Sequence, residues 1–158
     1  MMENTDADKD QLVKYRRNRF TASFSSRNLY SQAHYWFAPQ GENRYKVGLT
    51  KFAARMLGEL VEFGFEVKPQ SKISTGDILG WMEGFKAASD IYSFVDGVYI
   101  GENSDLVDQP ELLHARPHNK GWLYEIEIDS SEASKLMGVN EYTEFLDQLI
   151  DKMTGEEN

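Results

Sequence analysis

The stretch EGFKAASDIYSFVDG, residues 83–97, holds a single basic residue, Lys86. Outward from it, between Ile73 and Ala115, there is no other Lys or Arg, while the same 43 residues carry eight carboxylates. The residues before it, Ile78 to Phe85, read as a strand in which Gly80 and Gly84 allow close backbone approach or a bulge. Asp90 to Val95 reads as a second strand, and Asp96-Gly97 as a hairpin turn leading into Val98-Tyr99-Ile100. Three or four residues between the first two strands suit a hairpin loop. Lys86 is therefore expected at or beside a projecting tip, with the small Ala87 and Ala88 leaving room around it.

Three uses of such a lysine compete. The plain one is a surface cation paired weakly with Glu83 or Asp90, a contact that contributes about 0–1 kcal/mol. A Schiff-base nucleophile needs burial or neighbouring cations to release its proton. The acidic surroundings favour the charged form instead. The third is a lysine presented for acylation, which removes the charge and adds a long reach.

Outside this stretch the pattern stays mostly β. LYSQAHYWFA (29–38) is aromatic-rich and roughly alternating. Gly41-Glu42-Asn43 turns it back into RYKVGLT (44–50). KFAARML (51–57) has helical spacing after Thr50, a candidate N-cap, and Gly58 ends it. ELVEFGFEV (59–67) alternates again, as does WLYEIEI (122–128). SDLVDQPELL (104–113) predicts one or two helical turns interrupted by Pro110. EASKLMG (132–138) and NEYTEFLDQLIDKM (140–153) predict terminal helices, the second capped by Asn140. Its stripe is Tyr142, Phe145, Leu146, Leu149, Ile150 and Met153. Many short strands with tight turns and a helical cap predict a folded-over β sandwich or barrel.

The chain has 158 residues, enough for one domain with an extension. Residues 1–30 carry six Lys/Arg against four Asp/Glu, and the remainder eleven against twenty-two. So acidic a body argues against nucleic acid, whose phosphates need clustered cations. It suits either partners with basic docking surfaces or no more than solubility. No apolar run is long enough for a membrane helix. The absence of cysteine excludes a disulfide framework, a thiolate metal site and a thiol nucleophile. His114 and His118 are split by Pro117, so they read as turn histidines rather than a metal pair. Residues 1–28 read as an extension, either flexible or an arm docked on the body, and 154–158 as a frayed end. The Arg- and Ser-rich part of the extension follows four acids, unlike an organelle transit peptide. A cytoplasmic location is expected, with organelle targeting by the extension left open.

Several segments together resemble the glycine cleavage system H protein family. EGFKAASD is similar to the family's lipoylation hairpin, Glu-Ser-Val-Lys-Ala-x-Ser-Asp. HYWF (34–37) resembles its His-Glu-Trp strand and VGLTKFAARMLGEL (47–60) its Val-Gly-Ile-Thr segment. Gly76-Asp77, NSDLVDQPELL (103–113) and GWLYEIEI (121–128) follow in register. Three departures stand out: Gly84-Phe85 in place of Ser-Val, Tyr35 in place of the acid after His34, and an amino-terminal extension longer than a bacterial member needs.

The resemblance implies a mainly β, lipoyl-domain-like barrel-sandwich hybrid over residues 29–153, with a short internal helix and C-terminal helices. It implies lipoate in amide linkage on Lys86, flanking recognition by Glu83 and Asp90, and His34 on the surface where the arm rests. The implied protein is a carrier without catalysis of its own. It takes an aminomethyl group from glycine decarboxylase to the tetrahydrofolate-dependent aminomethyltransferase. It is reoxidised by dihydrolipoamide dehydrogenase and is modified by a lipoate ligase or lipoyl transferase. Related carriers serve other pathways, such as sulfur-compound oxidation, and an unmodified binding module of the same fold is a further alternative. A biotin carrier fits poorly, because methionines would flank the lysine.

Overall fold

Alternating burial along short strands builds the body. The computed structural model describes residues 11–155. In β11 (Tyr124–Glu127), Tyr124 and Ile126 face the core while Glu127 is exposed. This is the two-residue period of a half-buried strand. β11 lies inside a six-stranded sheet ordered β3-β4-β5-β11-β10-β7. The others are β3 (Leu29–Tyr30), β4 (Tyr35–Gly41), β5 (Arg44–Leu49), β7 (Ser71–Ile73) and β10 (Gly97–Glu102). Facing it is a three-stranded sheet of β6 (Leu60–Phe65), β8 (Ile78–Gly84) and β9 (Ala88–Tyr92), ordered β6-β8-β9. Phe37, Val47, Leu79, Ile91, Val95 and Ile126, all without solvent exposure, lie in the principal core. None of the sheets closes into a barrel. The fold is thus mainly β with helical additions, as expected.

Among the described residues the helices are α1 (Lys51–Leu57), α2 (Ser104–Asp108), α3 (Leu112–Ala115), α4 (Ser130–Ala133) and α5 (Val139–Met153). Val139, Tyr142, Leu146 and Ile150 form the buried stripe of α5. They join Tyr30, Trp36 and Phe52 in a second core.

The amino-terminal extension contributes a third sheet. β1 (Leu12–Arg17) and β2 (Phe20–Ser25) form an antiparallel hairpin, with Tyr15 opposite Ala22 and Arg17 opposite Phe20. Phe24 is fully buried, with its ring 5.3 Å from Tyr142 and 5.9 Å from Tyr30. Tyr15 donates to Asp147 at 2.8 Å, and Arg17 grips Asp151 through two nitrogens. From residue 12 the extension forms an arm docked on α5. Residues 1–10 lie outside the described residues, as do 156–158 of the expected frayed end.

Three local expectations are corrected. Asp96-Gly97 does not turn a hairpin, because β10 pairs with β7 and β11 of the other sheet. The glycine serves close packing instead: a Cβ there would meet the Glu127 carbonyl and the Ile128 side chain. The Asp96 carboxylate accepts from the Thr75 amide and hydroxyl, which fixes the crossing between sheets. The segment 132–138 is not one helix. α4 starts earlier, where the Asp129 carboxylate caps the Glu132 amide, and Met137 leaves it to pair with Tyr30. α5 begins one residue before Asn140. Gly138 occupies its cap position, with the Gly138 amide donating to the Glu141 carboxylate.

Candidate functional site

β8 and β9 pair in register, with Glu83 opposite Ala88 and Met82 opposite Ser89. The Gly84 amide donates to the Ala87 carbonyl at 2.8 Å, so the tip is Phe85-Lys86. A two-residue tip normally needs positive φ. Here neither tip residue has it. The backbone is held from outside instead. The Phe85 amide donates to the Glu59 carbonyl and the Lys86 amide to the Leu57 carbonyl, each at 3.0 Å. Both acceptors flank Gly58, the residue that ends α1.

Gly58 and Gly84 make this docking possible. Gly58 has φ +81° and ψ −178°. That region is essentially closed to residues with a side chain. A Cβ on Gly84 would collide with the Leu57 carbonyl and side chain. The lysine therefore projects from a backbone pinned at both tip amides.

Lys86 itself is exposed, and its Nζ donates to the Arg55 carbonyl at 3.2 Å. No carboxylate forms an ion pair with it among the described residues, so the weak pair with Glu83 or Asp90 does not form. Phe85 beside it is 75% exposed. Glu83 and Asp90 are both exposed and share the outer face of the hairpin, two positions apart along adjacent strands.

Behind the tip lies an apolar cleft of about 350 Å³, walled by His34, Tyr35, Leu49, Met82, Asp90 and Phe94 among others. The fold thus brings His34 and Asp90 to one cavity next to Lys86. His34 stands at φ +72°. Its Nδ1 lies 2.8 Å from the Tyr142 hydroxyl, which lies 2.8 Å from Thr50 Oγ1. Thr50 precedes α1 as expected, yet its hydroxyl serves this chain rather than capping the helix. Burial pulls His34 down to about 4, so the ring is neutral near pH 7.

His118, read as a turn histidine, has a structural task. Its Nε2 accepts from the Lys51 amide at 2.8 Å and its Nδ1 donates to the Ser23 carbonyl at 3.0 Å, which ties α1 to the hairpin arm. Burial lowers it to about 4 as well. No cluster suited to a metal ion occurs among the described residues.

A second groove, of about 650 Å³, opens on the other flank of Lys86 between the β1–β2 tip, α1 and the end of α5. Sequence reading missed it, along with the supporting parts played by Gly58, Arg55 and Tyr142. The only signal available was the composition of residues 14–28, whose long-range contacts no local pattern reveals.

Comparison with known proteins places these features in context. A family model described as glycine cleavage H-protein matches residues 28–149. The chain is 38% identical over 122 residues to the glycine cleavage system H protein of Photorhabdus laumondii, covering 75% of this chain and 92% of that one. It is 37% identical over 120 residues to the namesake from Thermoanaerobacter sp., covering 75% and 93%. Among solved structures it resembles a glycine cleavage system H protein from Mycobacterium marinum. That likeness has a TM-score of 0.64 and 27% identity, over 75% of this chain and 95% of that one.

Proposed function

The chain belongs to the glycine cleavage H-protein family, and from that premise we propose that Lys86 carries lipoate in amide linkage and that the protein is a carrier rather than a catalyst. The observation that carries this reading is the Lys86 tip: an exposed primary amine on a backbone pinned at both tip amides, beside an apolar cleft. A modifying enzyme needs both exposure and a fixed approach, and an acylated arm needs an apolar place to rest.

The residues present fit the group. Once attached, the lipoyl dithiolane supplies sulfur redox and carrier chemistry that a chain without cysteine lacks. Lys86 tethers it, which replaces free diffusion by a high effective concentration at each partner site. Glu83 and Asp90, together on the outer face, form the charged surface read by a lipoate ligase or lipoyl transferase. His34, neutral and held by Tyr142, lines the resting cleft with Leu49 and Met82. The partners in this reading are glycine decarboxylase, the aminomethyltransferase and dihydrolipoamide dehydrogenase, met in turn. The acidic body favours basic docking faces on them. The location in this reading is cytoplasmic. No helix among the described residues is long and apolar enough to cross a membrane.

One observation favours a second reading, a lipoyl carrier for another pathway such as sulfur-compound oxidation. Tyr35, in place of the family's acid, is 4% exposed and lines the cleft, leaving Asp90 as its carboxylate. An apolar wall suits a cargo other than an amine.

The experiment has two stages. Intact mass after incubation with a lipoate ligase should show one lipoyl group on the wild type and none on Lys86→Arg. A wild type that stays unmodified, while a control carrier is fully lipoylated, ends the carrier reading. Lipoylated protein given glycine and a glycine decarboxylase should then gain aminomethyl mass. Lipoylation without that gain selects the second pathway.

A further inference from the structure

The second groove beside Lys86 is built largely from parts outside the family match. That match ends at 28 and 149. Asn18, Arg19 and Phe20 of the hairpin arm form one wall, and Ile150 and Met153 of α5 form another. The matched region supplies the floor and the mouth: Phe52, Arg55, Met56 and Lys86. The His34 cleft, by contrast, lies wholly within it. Met56 borders both cavities.

We propose that this groove is a second resting site for the lipoyl arm, particular to this chain and created by the docked hairpin. The inference rests on the lipoylation of Lys86 proposed above. Four observations carry it. Lys86 lines this groove and does not line the His34 cleft. Its Nζ already donates to the Arg55 carbonyl in the groove wall. An acylated lysine keeps one N–H, so that bond survives and aims the chain inward.

Charge points the same way. The ammonium of Lys86 shares the groove with Arg19 and Arg55, while Arg17 at its edge is paired with Asp151, and the Arg55 guanidinium lies over the Phe20 ring at 5.7 Å. Acylation removes one of these like charges, so the neutral amide is the better occupant. The surface is apolar and soft as well. Met56 and Met153 are 52% and 59% exposed here, and thioethers adapt to irregular hydrocarbon and to sulfur. These two exposed thioethers give the groove an apolar lining open to solvent. The tethered arm is the occupant already at its mouth.

Methionine methyl groups test this directly. Of these two cavities, Met153 lines the hairpin groove and not the His34 cleft, and Met82 lines the cleft and not the groove. In full-length protein labelled with ¹³C-methyl methionine, spectra are compared before and after lipoylation, with intact mass confirming the modification. The expected result is a shift of Met153. If Met82 shifts while Met153 does not, or if neither moves, the second site is overturned and the carrier function stands. If mass shows no lipoyl group, both fall.

A second measurement uses the reduced arm. Its thiols should be alkylated by iodoacetamide several-fold faster in lipoylated Phe20→Ala than in the wild type, because the variant opens the groove wall. Equal rates would overturn the proposal.

Discussion

Gly58 lies directly beneath the Lys86 backbone: a Cβ built on it would fall 2.8 Å from the Lys86 amide nitrogen and 2.9 Å from its Cγ. The residue that ends α1 is therefore also the seat of the Lys86 tip. The φ of +81° adds a second constraint on the same atom position.

Gly58→Ala should accordingly lift the tip from its seat. Strain in this backbone region costs about 1–3 kcal/mol, before any clash. Urea unfolding should register that loss, and intact-mass time courses should show slower lipoylation than in the wild type. Unchanged stability and unchanged modification would mean that the seat is dispensable.

The Tyr142 hydroxyl joins Thr50 Oγ1 and His34 Nδ1, each at 2.8 Å. Tyr142→Phe should strand the fully buried Thr50 hydroxyl and cost about 1–3 kcal/mol. Adding Thr50→Val, which removes the stranded group, should recover part of the loss. Urea titration of the single and double variants checks both steps.

Phe24 joins the hairpin arm to the second core. Phe24→Ala should cost about 3–5 kcal/mol, or release the arm to avoid that cost. Hydrogen exchange separates the outcomes. A released arm loses amide protection in β1 and β2 while β8 keeps it.

Stability should fall with pH from the two buried histidines. His34 and His118 sit at about 4 in the folded chain, against an ordinary 6.5. As pH falls, the unfolded chain takes up these protons first. The contribution is therefore complete above about pH 6.5 and declines towards pH 4. That difference corresponds to at most roughly 3 kcal/mol for each ring. Asp96 and Asp129, held low by hydrogen bonds, act further down, below about 3.8. Urea midpoints across pH 7 to 4 should show the decline, with a flatter slope in His118→Gln.

Much of this protein was legible from local pattern. The β8–β9 hairpin, the projecting Lys86, α1 between Thr50 and Gly58, and the buried stripe of α5 follow from alternation, helical spacing and turn residues, which act over a few neighbours. Asp96-Gly97 misled because a turn-forming pair does not state which sheet the next strand joins. That choice depends on burying Val95 and on the close approach of Gly97 to Glu127. The arm of residues 12–25 stayed open between flexible and docked for a related reason: Phe24, Tyr15 and Arg17 find their partners on α5, more than a hundred residues away. Such contacts exist only once the chain has closed on itself. The same closure brings His34 and Asp90 to one cleft and gives Lys86 its second groove. Which residues stand on which strand, helix or tip was thus a local matter, and what surrounds them was decided by distant segments burying their apolar surface together.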